Sequence, residues 1–196
     1  MDYISKPALA LAKVKYFLET HPGCVVIATC RRVASGGKFR GSIASQLAIL
    51  SKASAIGCQL VDVELSTALK CKAAQLQKLH DRSALVLSFH DFRGTKKLDE
   101  TLDRMRALPA DFYKVVSTAT TLSDNVTMIQ FLGREADNHS LVGLCMGEQG
   151  IISRVLGVRA GSVFTFAAVG PGEETAPGQV TSQDLRSCLL YTSRCV

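Results

Sequence analysis

The feature that most constrains this chain is an alternation of two kinds of segment. Short apolar, β-branched runs recur at residues 24–30 (CVVIATC), 60–65 (LVDVEL), 84–89 (ALVLSF), 112–118 (FYKVVST), 141–146 (LVGLCM) and 163–169 (VFTFAAV). Each has the length and composition of a strand buried on both faces of a parallel sheet. Between them lie helical patterns. Leu98, Leu102 and Met105 are spaced i, i+4, i+7, as are Leu122, Val126 and Ile129, and Ile43, Leu47 and Leu50 repeat the theme. Ser123 or Thr121 is a candidate cap for the helix that contains Val126. A first helix is expected over residues 7–19, with Pro7 suited to its opening turn. Strict strand–helix alternation implies right-handed crossovers and an α/β fold with a parallel sheet. Six strand-like runs behind a leading helix fit either an open doubly wound sheet or an incomplete barrel.

At 196 residues, one domain is the natural expectation. No GxGxxG or GxxxxGK follows a strand run, which removes the usual support for a nucleotide-binding fold. No apolar run approaches the roughly 18 residues of a membrane span. The opening residues lack the basic and apolar regions of a signal peptide, so a cytoplasmic protein without a membrane partner is expected. There is no CxxC pair among the seven cysteines. Cys24, Cys30, Cys58 and Cys145 sit in or beside apolar runs, as reduced thiols acting as small hydrophobes do, and no metal site is expected. The formal net charge is +6, but the Lys and Arg residues are scattered and tryptophan is absent. That pattern argues against nucleic acid and suits an anionic small molecule.

In both architectures chemistry gathers beyond the carboxyl ends of the strands. Arg31 ends the first run, Asp62 and Glu64 lie in the second, and the third leads into His90-Asp91. Lys114 interrupts the fourth, an otherwise apolar strand, where it must either reach solvent or sit buried. A lysine near its ordinary pKa is only about 0.04% neutral at pH 7. Burial beside other cations lowers that pKa and frees the amine to attack a carbonyl. His90 is placed to shuttle a proton or to be a hydrogen-bonded loop residue. His21, His80 and His139 fall at helix ends or in loops and read as solvent-facing, whereas Cys145-Met146 reads as core. Asp62 and Glu64, two apart on one strand, point to one face and need cations, which Arg31, Lys114 and Arg154 could supply. Arg31 and Arg154 could each grip a carboxylate through two parallel hydrogen bonds.

Several stretches together carry a resemblance. They are Ala28-Thr29-Cys30-Arg31 with Gly36-Gly37, Val61-Asp62-Val63-Glu64, Ser88-Phe89-His90-Asp91-Phe92 and Ala110-Asp111-Phe112-Tyr113-Lys114. Further along come Met146 to Gly150, Ser153-Arg154, Gly161-Ser162 with Thr165-Phe166, and Ala176-Pro177-Gly178-Gln179. In order and spacing, from about Asp2 to Arg186, they resemble type I 3-dehydroquinate dehydratase. The resemblance implies a TIM-type (β/α)8 barrel that converts 3-dehydroquinate to 3-dehydroshikimate in the shikimate pathway, without metal or organic cofactor. It implies that Lys114 forms an imine with the substrate ketone and that His90 moves the proton. It makes Arg154, Thr175 and Gln179 binders of the substrate carboxylate and hydroxyls, Arg31 a contact for ring hydroxyls, and Glu64, with Asp62, part of the supporting polar network. Another imine-forming barrel, such as an aldolase, and a non-catalytic dehydroquinate sensor are the rival readings.

The sequence departs from the family in places. Ser35 stands where a glutamate is usual, and Thr175 where a serine is common. The family's first two strands would precede Asp2-Tyr3, so an incomplete barrel is expected over residues 1–187. Residues 188–196 resemble a translated transposon end and are expected to be a non-native tail replacing most of the last helix. The partners expected are the substrate and either a second copy of the chain or a fused shikimate dehydrogenase domain.

Overall fold

The computed structural model describes residues 7–193, so the expectations placed on Asp2-Tyr3 and on 194–196 lie outside it. Five strands follow one another in one sheet in the order β1-β2-β3-β4-β5. They are β1 (Ile27–Thr29), β2 (Leu60–Glu64), β3 (Ala84–His90), β4 (Phe112–Thr118) and β5 (Leu141–Met146). Among the described residues this parallel α/β sheet does not close, as expected of an incomplete barrel, and β1 and β5 stand at its edges. The helices are α1 (Pro7–Thr20), α2 (Ile43–Ala55), α3 (Leu65–Ala68), α4 (Ala73–His80), α5 (Leu98–Arg106), α6 (Ser123–Glu135), α7 (Ile151–Leu156) and α8 (Ser182–Ser193). The last of these runs through position 187 without a break. The chain forms two compact units. One comprises the described chain up to Phe89 with Arg104–Tyr113, the other His90–Asp103 with the chain from Lys114 onward.

In the first unit β1, β2 and β3 pair in parallel, with Thr29 opposite Asp62 and Glu64 opposite Ser88. Every residue of β2 is buried, as its continuous apolar run requires. Helix α2 starts where the Ser42 hydroxyl accepts the Ser45 N–H at 3.1 Å. It buries Leu47 and Leu50 on the expected stripe, along with Gln46. Gln46 is satisfied there: its Nε2 donates to the Cys30 carbonyl at 2.6 Å and its Oε1 accepts from Thr67 at 3.2 Å. His80, expected in solvent, is half-buried, with Nε2 3.0 Å from the Asp111 carboxylate. That carboxylate also accepts the Leu85 N–H at the start of β3.

In the second unit β5 is buried throughout and α6 packs on it. The face that α6 buries differs from the expected one. Leu122 and Val126 are exposed and Ile129 is half-buried, while Asn125, Met128, Phe131 and Leu132 are buried. Neither Ser123 nor Thr121 caps the helix. The Asp124 carboxylate instead accepts the N–H groups of Thr120 and Thr121, both at 2.8 Å. The run 163–169 forms no strand. Its backbone is tied at the ends, Val163 N–H to the Leu141 carbonyl and Ala168 N–H to that of Val180. Within it the Ser162 and Thr165 hydroxyls bond to Phe164 and Arg154 carbonyls. Five strands therefore stand where six were expected.

Candidate active site

Two clusters of polar side chains are buried, one in each unit. In the first, Arg31 follows β1, Asp62 and Glu64 lie on β2, and Ser88 lies on β3. The Arg31 guanidinium donates from Nη2 to both Asp62 oxygens at 3.0 and 2.8 Å, and from Nη1 to Glu64 and to the Ser88 hydroxyl at 3.2 Å. Ser88 Oγ lies 2.6 Å from Asp62 Oδ1 and 3.1 Å from Glu64 Oε2, so it donates to one of the two carboxylates. Asp62, Glu64 and Ser88 are all buried. The two-residue spacing on β2 thus brings both carboxylates to one cation, as expected, and the register places Ser88 beside them. In sequence Ser88 has only a place in a motif and no role; its register opposite Glu64 supplies one. Ser35, nearby in the chain, is buried and shares a 3.1 Å hydrogen bond with Ser66.

In the second unit Lys114 is 8% exposed, so the strand lysine is buried. Its Nζ lies 4.2 Å from the centroid of the Phe166 ring, a cation–π distance. Phe166 packs on a small apolar cluster of Val116, Leu144 and Met146. Desolvation of an ammonium group favours its neutral form, whereas the ring face favours the charged one. The end of β3 is tied beside β4, because the Asp91 N–H donates to the Val116 carbonyl at 2.8 Å and the Thr118 hydroxyl to the Asp91 carbonyl. His90 is half-buried there and stacks against Phe92, ring centroids 6.1 Å apart.

Arg154 on α7 is only 1% exposed. Its Nη2 donates to the Pro177 carbonyl at 3.1 Å, and its Nε has no hydrogen-bond partner among the described residues. Burial pushes its pKa below the ordinary value, with the Cys145 thiol acting in the opposite sense. A guanidinium remains charged through such a shift, so a buried cation sits here with donor capacity left over. The Gly/Pro-rich loop docks on the end of β5. Gly147 N–H donates to the Pro177 carbonyl at 3.1 Å, and Gly178, at φ +73°, lies so close to the Gly147 carbonyl that a Cβ there would collide with it. In this loop the Gln179 Oε1 accepts the Thr175 N–H at 2.8 Å and its hydroxyl at 3.2 Å; Thr175 is exposed and Gln179 half-buried. The second unit therefore carries Lys114, His90, Arg154, Thr175 and Gln179, and the first carries Arg31, Asp62 and Glu64. Among the described residues no group of three His, Cys, Asp or Glu side chains is disposed to hold a metal ion. No described helix is long and apolar enough to cross a membrane.

Comparison with known proteins identifies the family. The chain is 39% identical over 158 residues to a 3-dehydroquinate dehydratase of Dehalococcoides mccartyi, spanning 79% of this chain and 70% of that one. It is 33% identical over 191 residues to the enzyme of that name from Desulfotalea psychrophila, spanning 95% and 82%. The crystal structure of a type I 3-dehydroquinate dehydratase from Clostridium difficile with covalently modified comenic acid superposes with a TM-score of 0.83 at 25% identity, covering 95% of this chain and 76% of that one. The family model for type I 3-dehydroquinase matches residues 1–194, and the chain belongs to that family.

Proposed function

We propose that this chain dehydrates 3-dehydroquinate to 3-dehydroshikimate, as its family does, through an imine on Lys114. The observation that carries the mechanism is the buried position of Lys114 within β4, its amine over the Phe166 face. The neutral amine attacks the substrate ketone, water is lost, and the imine nitrogen takes up a proton from solvent, leaving an iminium carbon. His90 takes the proton from the adjacent carbon, and the electron pair moves toward nitrogen to form an enamine. As that pair returns, the hydroxyl leaves with the proton His90 holds, and a second water releases the product from Lys114. No metal or organic cofactor enters, because the iminium is the electron sink.

The family resemblance assigns the binding roles. Arg154, a buried cation with unused donors, receives the substrate carboxylate. Thr175 and Gln179, already joined to each other in the docked loop, hold carboxylate and hydroxyl oxygens. Arg31 contacts ring hydroxyls, and Asp62, Glu64 and Ser88 fix its guanidinium. A second copy of the chain or a fused shikimate dehydrogenase domain remains the partner expected from sequence, and sedimentation of the purified chain tests the first of these.

Borohydride trapping tests the chemistry. The protein is mixed with 3-dehydroquinate, reduced, and mapped by mass spectrometry. Mass gained on Lys114, and lost in Lys114→Ala, supports the reading. Adduct formation with an aldol substrate in place of 3-dehydroquinate would point to an aldolase. Absence of any adduct in the folded chain would end the lyase reading.

A further inference from the structure

Arg154 sits on a helix of six residues, α7, which is too short to hold itself. What holds it is a set of buried hydrogen bonds centred on Asn125. Asn125 lies on the packed face of α6 beside Met128, Phe131 and Leu132, and is 0% exposed. Its Nδ2 donates to the Gln149 carbonyl at 2.6 Å and to the Leu122 carbonyl at 3.1 Å. Its Oδ1 accepts the Ser153 N–H at 2.9 Å. The Ser153 hydroxyl in turn donates to the Gly150 carbonyl and accepts the Cys145 N–H from β5, both at 2.8 Å. On the other side of Arg154, its own carbonyl accepts the Thr165 hydroxyl at 3.0 Å. The turn that precedes the arginine is pressed onto β5 as well, since a Cβ at Gly150 would lie 2.5 Å from the Cys145 carbonyl oxygen.

The arginine backbone is thus pinned from α6, from β5 and from the 162–166 segment. An apolar residue of similar volume at 125 would fill the same space with less desolvation, so what the carboxamide adds is the pair of bonds to residues 149 and 153. We propose that Asn125 is a positioning residue for Arg154: it sets the first turn of α7 and so aims a buried guanidinium that substrate must find ready-made. A preorganised donor avoids the ordering cost of binding, and the consequence falls on affinity for an anionic substrate more than on the chemistry at Lys114. This rests on the reading of Arg154 as the carboxylate receiver.

The test uses the whole chain and measures trapped adduct on Lys114 against 3-dehydroquinate concentration. Asn125→Leu keeps the branched shape, in a slightly larger side chain, and removes the three bonds. The concentration for half-maximal trapping should rise about tenfold, the effect of roughly one well-made buried hydrogen bond, while the plateau stays within about twofold. In an Arg154→Met background, Asn125→Leu should add nothing further. Half-saturation unchanged in a folded Asn125→Leu chain, or an increase that persists in full beside Arg154→Met, overturns the proposal. If Asn125→Leu does not fold, Ser153→Ala, which removes one hydroxyl from the same network, is held to the same two criteria. If Arg154→Met alone leaves half-saturation unchanged, the carboxylate reading of Arg154 fails and takes this inference with it, a result distinct from failure at Asn125 alone.

Discussion

At the scale of single residues, the cluster around Arg31 sets one guanidinium against two buried carboxylates. Desolvating charges is expensive, and what makes the arrangement tolerable is that every partner is in place. Arg31→Met should therefore cost about 3–5 kcal/mol of unfolding free energy, because it strands Asp62 and Glu64 without their cation. Ser88→Ala should cost about 1–3 kcal/mol, the loss of one hydrogen bond to a charged group that Arg31 still serves. Urea unfolding of both variants checks the order, and a larger loss at Ser88 than at Arg31 would show that the ion pair is not the centre of the cluster. Much of this scale was legible in sequence. Asp62 and Glu64 share a face because strands have a period of two, and a lysine in an apolar strand calls for explanation wherever it occurs. Ser88 was not legible, because a serine in a strand carries no signal until pairing sets it opposite Glu64. Asn125 was hidden for a related reason: a polar residue reads as surface, and its burial becomes plain only once Gln149 and Ser153 are seen to satisfy it.

At the scale of elements, α6 shows how a correct period can select the wrong face. Leu122, Val126 and Ile129 make a proper helical stripe, yet the buried stripe runs through Asn125, Met128 and Phe131. The one polar residue on the true face diverted the pattern. The run 163–169 failed differently. Its valines and phenylalanines have high β-propensity, but propensity reports fit to a pleated surface. Here the Thr165 hydroxyl bonds the Arg154 carbonyl and the Phe166 ring lies against Lys114, while the Val163 and Ala168 N–H groups bond to the Leu141 and Val180 carbonyls. The start of α6 yields a prediction with a pH sign. Burial pushes the Asp124 carboxyl up, but hydrogen bonds from Thr121 and Thr120 outweigh that and hold it below its ordinary value. A depressed carboxyl contributes stability above its unfolded pKa, about 3.9, and loses it as pH falls through the lower folded value. Asp124→Ala should cost about 1 kcal/mol near pH 7, as lost caps do, and the gap to the parent should narrow below about pH 4. Thermal melts at both pH values decide it; a gap that widens in acid would contradict the assigned role. Gly150→Ala should be worse than an ordinary surface change, since its Cβ meets backbone, and its melting temperature should fall below that of Gly133→Ala, where a Cβ meets open space.

At the scale of the molecule, the first five strand runs stand with helices between them, while α7 and α8 follow β5 with no sixth strand between, and β2 and β5 are buried throughout. Hydrogen exchange should find the amides of β2 slowest, with those of β5 close behind because the buried Ser162 and Ser153 hydroxyls accept its Gly143 and Cys145 N–H groups. Three-residue β1 at the sheet edge and the exposed stretch 171–175 should be fastest. Uniform protection across these segments would mean that the chain opens only as a whole. The reduced cysteines have a further use here. The chain has no tryptophan to report its unfolding. It does carry Cys30 and Cys58 sealed in one unit and Cys145 sealed in the other, with Cys24 and Cys188 exposed. An alkylating reagent must wait for the surrounding structure to part before it reaches a sealed thiol, and at Cys58 it also meets a thiol that burial has made slow to ionise. Timed labelling read by mass therefore turns these three sulfurs into separate clocks. They would show directly whether the two units come apart together or one after the other.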